Sequence, residues 1–187
     1  LAFDGNAVIA ELWGASLTPV LLGMEPNSYH VLLLIQLSPY GLYQITRQSQ
    51  AEFADKRLSL TDIDNELFHS LHQAFVASKT VSNLVNTCEK VLYRRMEKHV
   101  VSDSLLLATK VISDNYGQIQ VKEVARQSHY SERQLNRLFL AQIGMNIKNY
   151  ARLTRFNYVL KHIQTSPCFF AALSQQAGYF DQAHFDK

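Results

Sequence analysis

One pattern occurs twice between Gln120 and Phe185, and it constrains this chain more than any other feature. The first copy reads QVKEVARQSHYSERQLNRLF and the second FFAALSQQAGYFDQAHF. Each has a short apolar helix, a tight turn, a capping residue and a second helix with polar residues turned outward. In the first copy Val121, Val124 and Ala125 face Leu135, Leu138 and Phe139, and the small Ala125 lets the two helices cross closely. In the second copy Leu173 and Ala177 are core and Gly178 supplies the positive φ of a tight turn. Tyr179 and Phe185 fill the space between those helices.

The segment between the copies, Ile147–Gln164, is long and helical by its spacing. Ile147, Tyr150, Leu153, Phe156, Leu160 and Ile163 are expected to line its inner side, and Pro167 ends it. Ahead of the first copy, Ser104 is expected to cap a helix with Leu105, Leu106, Ala108, Val111 and Ile112 that stops at Tyr116-Gly117. Such paired units suit entry of their second helices into a DNA major groove. The candidate caps Ser131 and Asp181 are about one connector helix apart, which predicts readers of two neighbouring groove segments.

The first hundred residues differ in character. Ala7–Trp13, Pro19–Met24 and Tyr29–Leu37 read as strands, punctuated by Gly14, Gly23, Pro26 and Pro39. The run YHVLLLIQL is apolar on both faces and predicts a central strand packed on both sides. Helices follow: Tyr40–Thr46, a segment capped at Thr61-Asp62 carrying Ile63, Leu67, Phe68, Leu71, Phe75 and Val76, and Val81–His99. The last places Leu84, Val85, Cys88, Val91, Leu92 and Met96 on one face, with Arg94, Arg95 and Lys98 near its end, where cations suit the helix dipole. Glu97–Asp103 is the expected boundary between a domain over 1–101 and another over 102–187. Leu1 and Lys187 both read as cut ends, with three strands too few to close a sandwich or barrel.

Charge follows the same division. Residues 1–101 hold eight Lys and Arg against ten Asp and Glu, a net of −2; residues 102–187 hold ten against six, a net of +4. The basic half carries the paired motifs, a bias suited to several phosphate contacts rather than a nonspecific coat. In the first copy Glu132, Arg133, Gln134, Asn136 and Arg137 form the outward stripe. Arg makes two bonds to guanine, and Asn or Gln two to adenine. In the second copy Gln182, Ala183 and Lys187 point outward, beside His184 and Asp186.

Several chemistries find no support. No Gly-x-Ser-x-Gly elbow and no phosphate-binding glycine loop occur. His69 and His72 lack a third ligand at motif spacing, so no metal is expected. Cys88 and Cys168, 80 positions apart, read as reduced thiols of a cytoplasmic chain and not as nucleophiles. Trp13, Tyr93, Tyr116 and Tyr158 read as packing residues. The longest apolar run, Val31–Leu37, has strand length, so no membrane span is expected.

The residues of the basic half carry a family resemblance. Val121, Val124, Ala125, Tyr130, Ser131, Leu135, Arg137 and Phe139, then Gly144, Tyr150 and Arg155, then Gly178, Tyr179, Asp181 and Phe185 follow one known pattern. The region 104–187 resembles the DNA-binding domain of AraC/XylS-type transcriptional regulators. The resemblance implies a non-enzymatic, sequence-specific bacterial regulator without cofactor, its two recognition helices lying in successive major grooves. By position, Arg133, Gln134, Asn136 and Arg137 would read bases in one groove and Gln182, Ala183 and Lys187 in the next, with Ser131, Asn149 and Arg152 on phosphates. His129 stands where that pattern has Gly, Gln120 and Phe169 where it often has Ser or Thr caps, and Ser174 where it has Ala. The sequence ends at Lys187, before the point where that pattern has its final Phe-Lys run and last helix.

The earlier stretch LTPVLLGMEPNSYHVLLLIQLSPYGLYQI, with Pro39, Gly41 and Tyr43, then EFADKRLSLTDI, looks like the end of the β-rich sensor domain that precedes some such regulators. That likeness implies effector sensing or self-association, with double-stranded DNA, a small-molecule effector and a second copy of the chain as partners. The expected architecture is therefore mainly α with a β-rich N-terminal segment. Two helix-turn-helix subdomains joined by a connector helix follow a partial sensor domain and two helices. Two other readings compete: a DNA-repair methyltransferase-like enzyme with an AraC-like segment, marked by a reactive thiol, and a ligand-sensing or interaction module without DNA binding.

Overall fold

The computed structural model describes residues 2–4, 7–19 and 30–165. Among these residues the chain is mainly helical, with short strands confined to the first sixty. Two compact units result: Leu1–Val101 together with Leu140–Gly144, and Ser102–Phe139 together with the described residues from Met145 on.

In the first unit, β1 (Ala2–Asp4) pairs antiparallel with β2 (Ala7–Ile9), Ala2 opposite Ile9. A second strand pair joins β3 (Glu11–Trp13) to a later strand at Arg57–Ser59. The expected strand Ala7–Trp13 is thus broken in two, because Ala10 is buried and its carbonyl accepts from the Leu60 N–H at 2.9 Å. β4 (His30–Leu32) pairs antiparallel with β1, giving the order β2-β1-β4. Among the described residues β4 is therefore an edge, not the central strand that its apolar run predicts. Beyond Leu32 the chain leaves the sheet. Leu33 and Leu37 then turn toward the helical core, whereas Leu34 is 64% exposed. The expected strand Pro19–Met24 lies, after Pro19, outside the described residues.

α1 (Gly41–Thr46) and a 3₁₀ turn at Gln50–Glu52 lead into β5 (Arg57–Ser59), whose Leu58 lies opposite Leu12 of β3. α2 (Leu60–Ile63) is a single turn, and α3 (Asn65–Ala77) and α4 (Val81–Met96) form a helical pair. The expected cap Thr61-Asp62 falls inside α2. The working cap is Asp64, whose non-helical backbone (φ −152°) restarts the helix while its carboxylate accepts from the Leu67 N–H at 2.9 Å. Thr80 caps α4 in the same way. Arg95, in the last turn of α4, donates to Asp64 at 2.9 Å and Glu66 at 3.2 Å. The end of α4 is thus tied to the start of α3, and the helices run antiparallel. Leu67, Leu71 and Ala74 meet Leu84, Cys88 and Leu92, with Ala10, Ile45 and Leu60 closing the core. Val76 and Val85, expected on the inner faces, are exposed.

The second unit contains α5 (Asp103–Asp114), α6 (Val121–Gln127), α7 (Glu132–Ile143) as far as Phe139, and α8 (Ile147–Thr165). Ser102, not Ser104, caps α5, its hydroxyl accepting from the Leu105 N–H. The helix ends in a Schellman motif: Gly117 N–H donates to Ile112 C=O and Tyr116 N–H to Ser113 C=O, both at 2.9 Å. Tyr116 and Gly117 take φ of 52° and 73°. A Cβ at Gly117 would lie 2.1 Å from the Ala151 carbonyl oxygen, so the end of α5 rests on the backbone of α8. Arg155 donates to the Gly117 carbonyl at 2.8 Å and seals that contact. Leu105, Ala108, Ile112, Val124, Leu135, Phe139 and Ile147 are at most about 0% exposed and form the core. Phe139 meets Tyr150 edge to face, with ring centres 5.5 Å apart.

The connector differs from its expected phase. Ile147, Ala151 and Val159 are its buried residues, whereas Phe156 and Leu160 are each 37% exposed. The small Ala151 sits at the tight crossing with Gly117, and the bulky residues flank it. Ile163, and the second copy of the pattern with its helix Phe170–Gln176 and its cap Asp181, lie outside the described side chains and residues.

Two local departures in the first copy have measurable costs. Gln120 has N-cap backbone geometry (φ −72°, ψ 142°) but makes no capping bond. His129 holds φ 60°, a left-handed conformation that costs a residue with a Cβ about 1–2 kcal/mol. Gln120→Ser and His129→Gly are each expected to stabilise the protein by about 1 kcal/mol. In a chain of this size that raises the melting temperature by about 2–4 °C per substitution. Unchanged or lowered melting in both variants would show that neither end of α6 has the geometry described.

Candidate nucleic-acid interface

α6 and α7 are joined by a four-residue turn, Ser128–Ser131, that the sequence specifies closely. His129 N–H donates to Arg126 C=O at 3.3 Å and Tyr130 N–H to Ala125 C=O at 3.0 Å, a second Schellman motif with His129 in the glycine position. Ser128 is fully buried, and its hydroxyl satisfies itself on Val124 C=O at 2.8 Å. α7 then opens with a reciprocal cap. The Ser131 hydroxyl accepts from the Gln134 N–H at 3.3 Å, and the Gln134 carbonyl oxygen accepts from the Ser131 N–H at 3.2 Å and hydroxyl at 2.7 Å. Leu135 and Phe139, fully buried, fix the rotation of α7 about its own axis. The residues expected to read DNA are consequently presented in one defined way.

Arg133 and Arg137 are exposed, one helical turn apart, and neither makes a hydrogen bond or ion pair among the described residues. Two like charges so placed repel each other by about 0.2–0.5 kcal/mol, a cost that an anionic partner would relieve. Glu132, also exposed, sits in the first turn, where a carboxylate suits the dipole. Gln134 is exposed, but its carbonyl is committed to the cap, which leaves its amide N–H groups for an outside acceptor. Ser131 has given its one hydroxyl proton to Gln134, so in this arrangement it has none for a phosphate.

Asn136 is half-buried, and its carbonyl oxygen accepts from the Ile147 N–H at 3.1 Å. It therefore ties α7 to the first turn of α8. The paired donor and acceptor that an adenine edge needs is already half used. Asn146 caps α8 by accepting from the Asn149 N–H at 2.8 Å. Asn149 is half-exposed and Arg152 exposed, three residues apart on α8, with Lys148 exposed beside them. Sequence spacing did not single out Lys148, although a lysine in the first turn after a capping Asn is its visible signal. Gln182, Ala183 and Lys187 lie outside the described residues.

No family model, curated protein or solved structure matches this chain.

Electrostatics separates the cations further. Arg126 is paired with Glu123 at 2.6 Å, and the pair, with a second bond from Gln127, holds the Glu123 carboxyl at about 2. Arg126 is thereby occupied within α6, in contrast to Arg133 and Arg137. Cys88 is 2% exposed and burial pushes its thiol up, the opposite of what a nucleophile requires. His69 and His72 pack their rings on Phe68, with centres 5.6 and 5.8 Å away. Among the described residues no helix is long and apolar enough to cross a membrane.

Proposed function

We propose that the chain is a sequence-specific, double-stranded-DNA-binding transcriptional regulator of AraC/XylS type acting in the cytoplasm. In this reading α6 and α7 are a helix-turn-helix unit with α7 as the recognition helix, and α8 is the connector to a second unit. The observation that carries the reading is the pair Arg133 and Arg137: two guanidiniums without a partner among the described residues, one turn apart on a capped, core-anchored helix. The motif spacing over 104–187 and the net positive charge of that half support it. Arg133 and Arg137 are the principal base readers, each suited to guanine. Gln134 reads through its amide donors, and Asn136 contributes less. Asn149 and Arg152, with Lys148, grip phosphate. The second reader, Gln182, Ala183 and Lys187, lies about 34 Å along the duplex, one turn of B-DNA. Residues 1–101 act as the end of a sensing and self-associating domain that controls the readers.

The test is a mobility shift against a pool of random duplexes across a salt series, followed by recovery of the bound sequences. A specific regulator selects a consensus and loses affinity steeply with salt. Arg137→Ala is expected to weaken the recovered site by about 1–3 kcal/mol, on the order of 5- to 150-fold, and to relax preference at one base pair. Equal weakening on selected and random DNA would assign Arg137 to phosphate. No selected sequence at any salt would sink the proposal.

A further inference from the structure

The first unit holds a solvent-open pocket of about 330 Å³ lined by Tyr43, Arg47, Lys98, His99 and Val100. That volume lies at the lower end of metabolite sites. Two of the five lining side chains are cations, two more are a histidine and a tyrosine, and none is a carboxylate. From this we propose that the pocket between the end of α1 and the segment after α4 is a binding site for a small dianionic oxyanion, a phosphate or a dicarboxylate.

The pocket is built from backbone features that place the cations without neutralising them. Arg47 closes α1 in a left-handed conformation, φ 57°, with its N–H on the Tyr43 carbonyl at 2.8 Å. This turn throws the Arg47 side chain across to His99, whose ring accepts from the guanidinium. The opposite wall is anchored by the Gln44 amide, which donates to the His99 carbonyl at 2.8 Å. Lys98 is exposed and makes no hydrogen bond or ion pair among the described residues. Arg47 likewise has no carboxylate partner there.

A simpler reading is that these cations serve the C-terminal ends of α1 and α4. Each helix end offers only about half an elementary charge, concentrated in its last turn. Two full positive charges exceed that, and Lys98 has no partner among the described residues. An oxyanion would take the Arg47 fork in place of the His99 ring, a charge-assisted pairing, with Lys98 as a second cation and the Tyr43 hydroxyl as a neutral donor. The site is independent of the DNA reading, because every residue in it belongs to the first unit.

The experiment follows thermal melting and the His99 ring resonances of the full 187-residue chain during titration with inorganic phosphate or succinate. Sodium chloride at matched ionic strength is the control. Saturable stabilisation and a saturable His99 shift are expected with at least one oxyanion. The probe that acts distinguishes a phosphate from a dicarboxylate ligand. Lys98→Gln, which removes no bond among the described residues, and Arg47→Gln are each expected to weaken binding by about tenfold or more. Responses to both oxyanions that merely equal chloride overturn the site. So does a Lys98→Gln variant that binds as tightly as the parent.

Discussion

Gly117→Ala is expected to destabilise the second unit by about 2–5 kcal/mol. Two costs combine. The residue sits at φ 73°, where a Cβ costs about 1–2 kcal/mol. The new methyl would also lie 2.1 Å from the Ala151 carbonyl oxygen and 2.9 Å from the Arg155 nitrogen. Both obstacles are backbone, so no side chain can swing aside, and forced repacking of this kind costs about 1–3 kcal/mol more. Against a total stability of about 5–15 kcal/mol, such a loss is readily measured. Urea denaturation should show a lowered midpoint with an unchanged slope. A midpoint equal to the parent's would mean that α5 and α8 are further apart than described.

Phe139→Ala is expected to cost about 3–5 kcal/mol, the range for removing a fully buried aromatic ring. Phe139 is 0% exposed and meets Tyr150 edge to face, so truncation leaves a cavity between α7 and α8 and deletes the aromatic contact. Because the same ring fixes the rotation of α7, the proposed DNA binding should weaken together with stability. Arg137→Ala provides the contrast: an exposed, unpaired side chain whose loss should leave melting within about 0.5 kcal/mol of the parent. If Phe139→Ala melts like the parent, the core assigned to α7 is wrong.

The elements that sequence reasoning placed well are those whose large residues repeat at helical spacing. α4 is an example: Leu84, Cys88 and Leu92 recur every four residues and all are buried. Segments where small residues do the packing are less legible. In α8 the phase drawn through Tyr150, Leu153 and Phe156 missed Ala151, because a close backbone crossing selects a residue with little hydrophobic signal of its own. Caps were misplaced by two residues where Ser, Thr and Asp cluster, as at Ser102 against Ser104. Several residues there can cap, and only the backbone angle decides. β5 escaped notice because three residues carry no readable alternation, and its partner strand lies over forty positions earlier. In the candidate interface, exposure of Arg133 and Arg137 followed from the periodicity of α7. The commitments of Gln134 and Asn136 did not, since those bonds depend on the turn before α7 and on the start of α8.

The reciprocal bond between Ser131 and Gln134 also bears on how such a protein could be re-targeted. If α7 reads DNA as proposed, a new side chain at 134 would alter the groove contact and weaken the first turn together, so a change of operator and a loss of stability of about 1 kcal/mol would arrive in one step. Substitutions at 133 and 137 carry no such penalty. Under that proposal, drift toward new binding sites should pass through the two arginines and leave the glutamine between them in place.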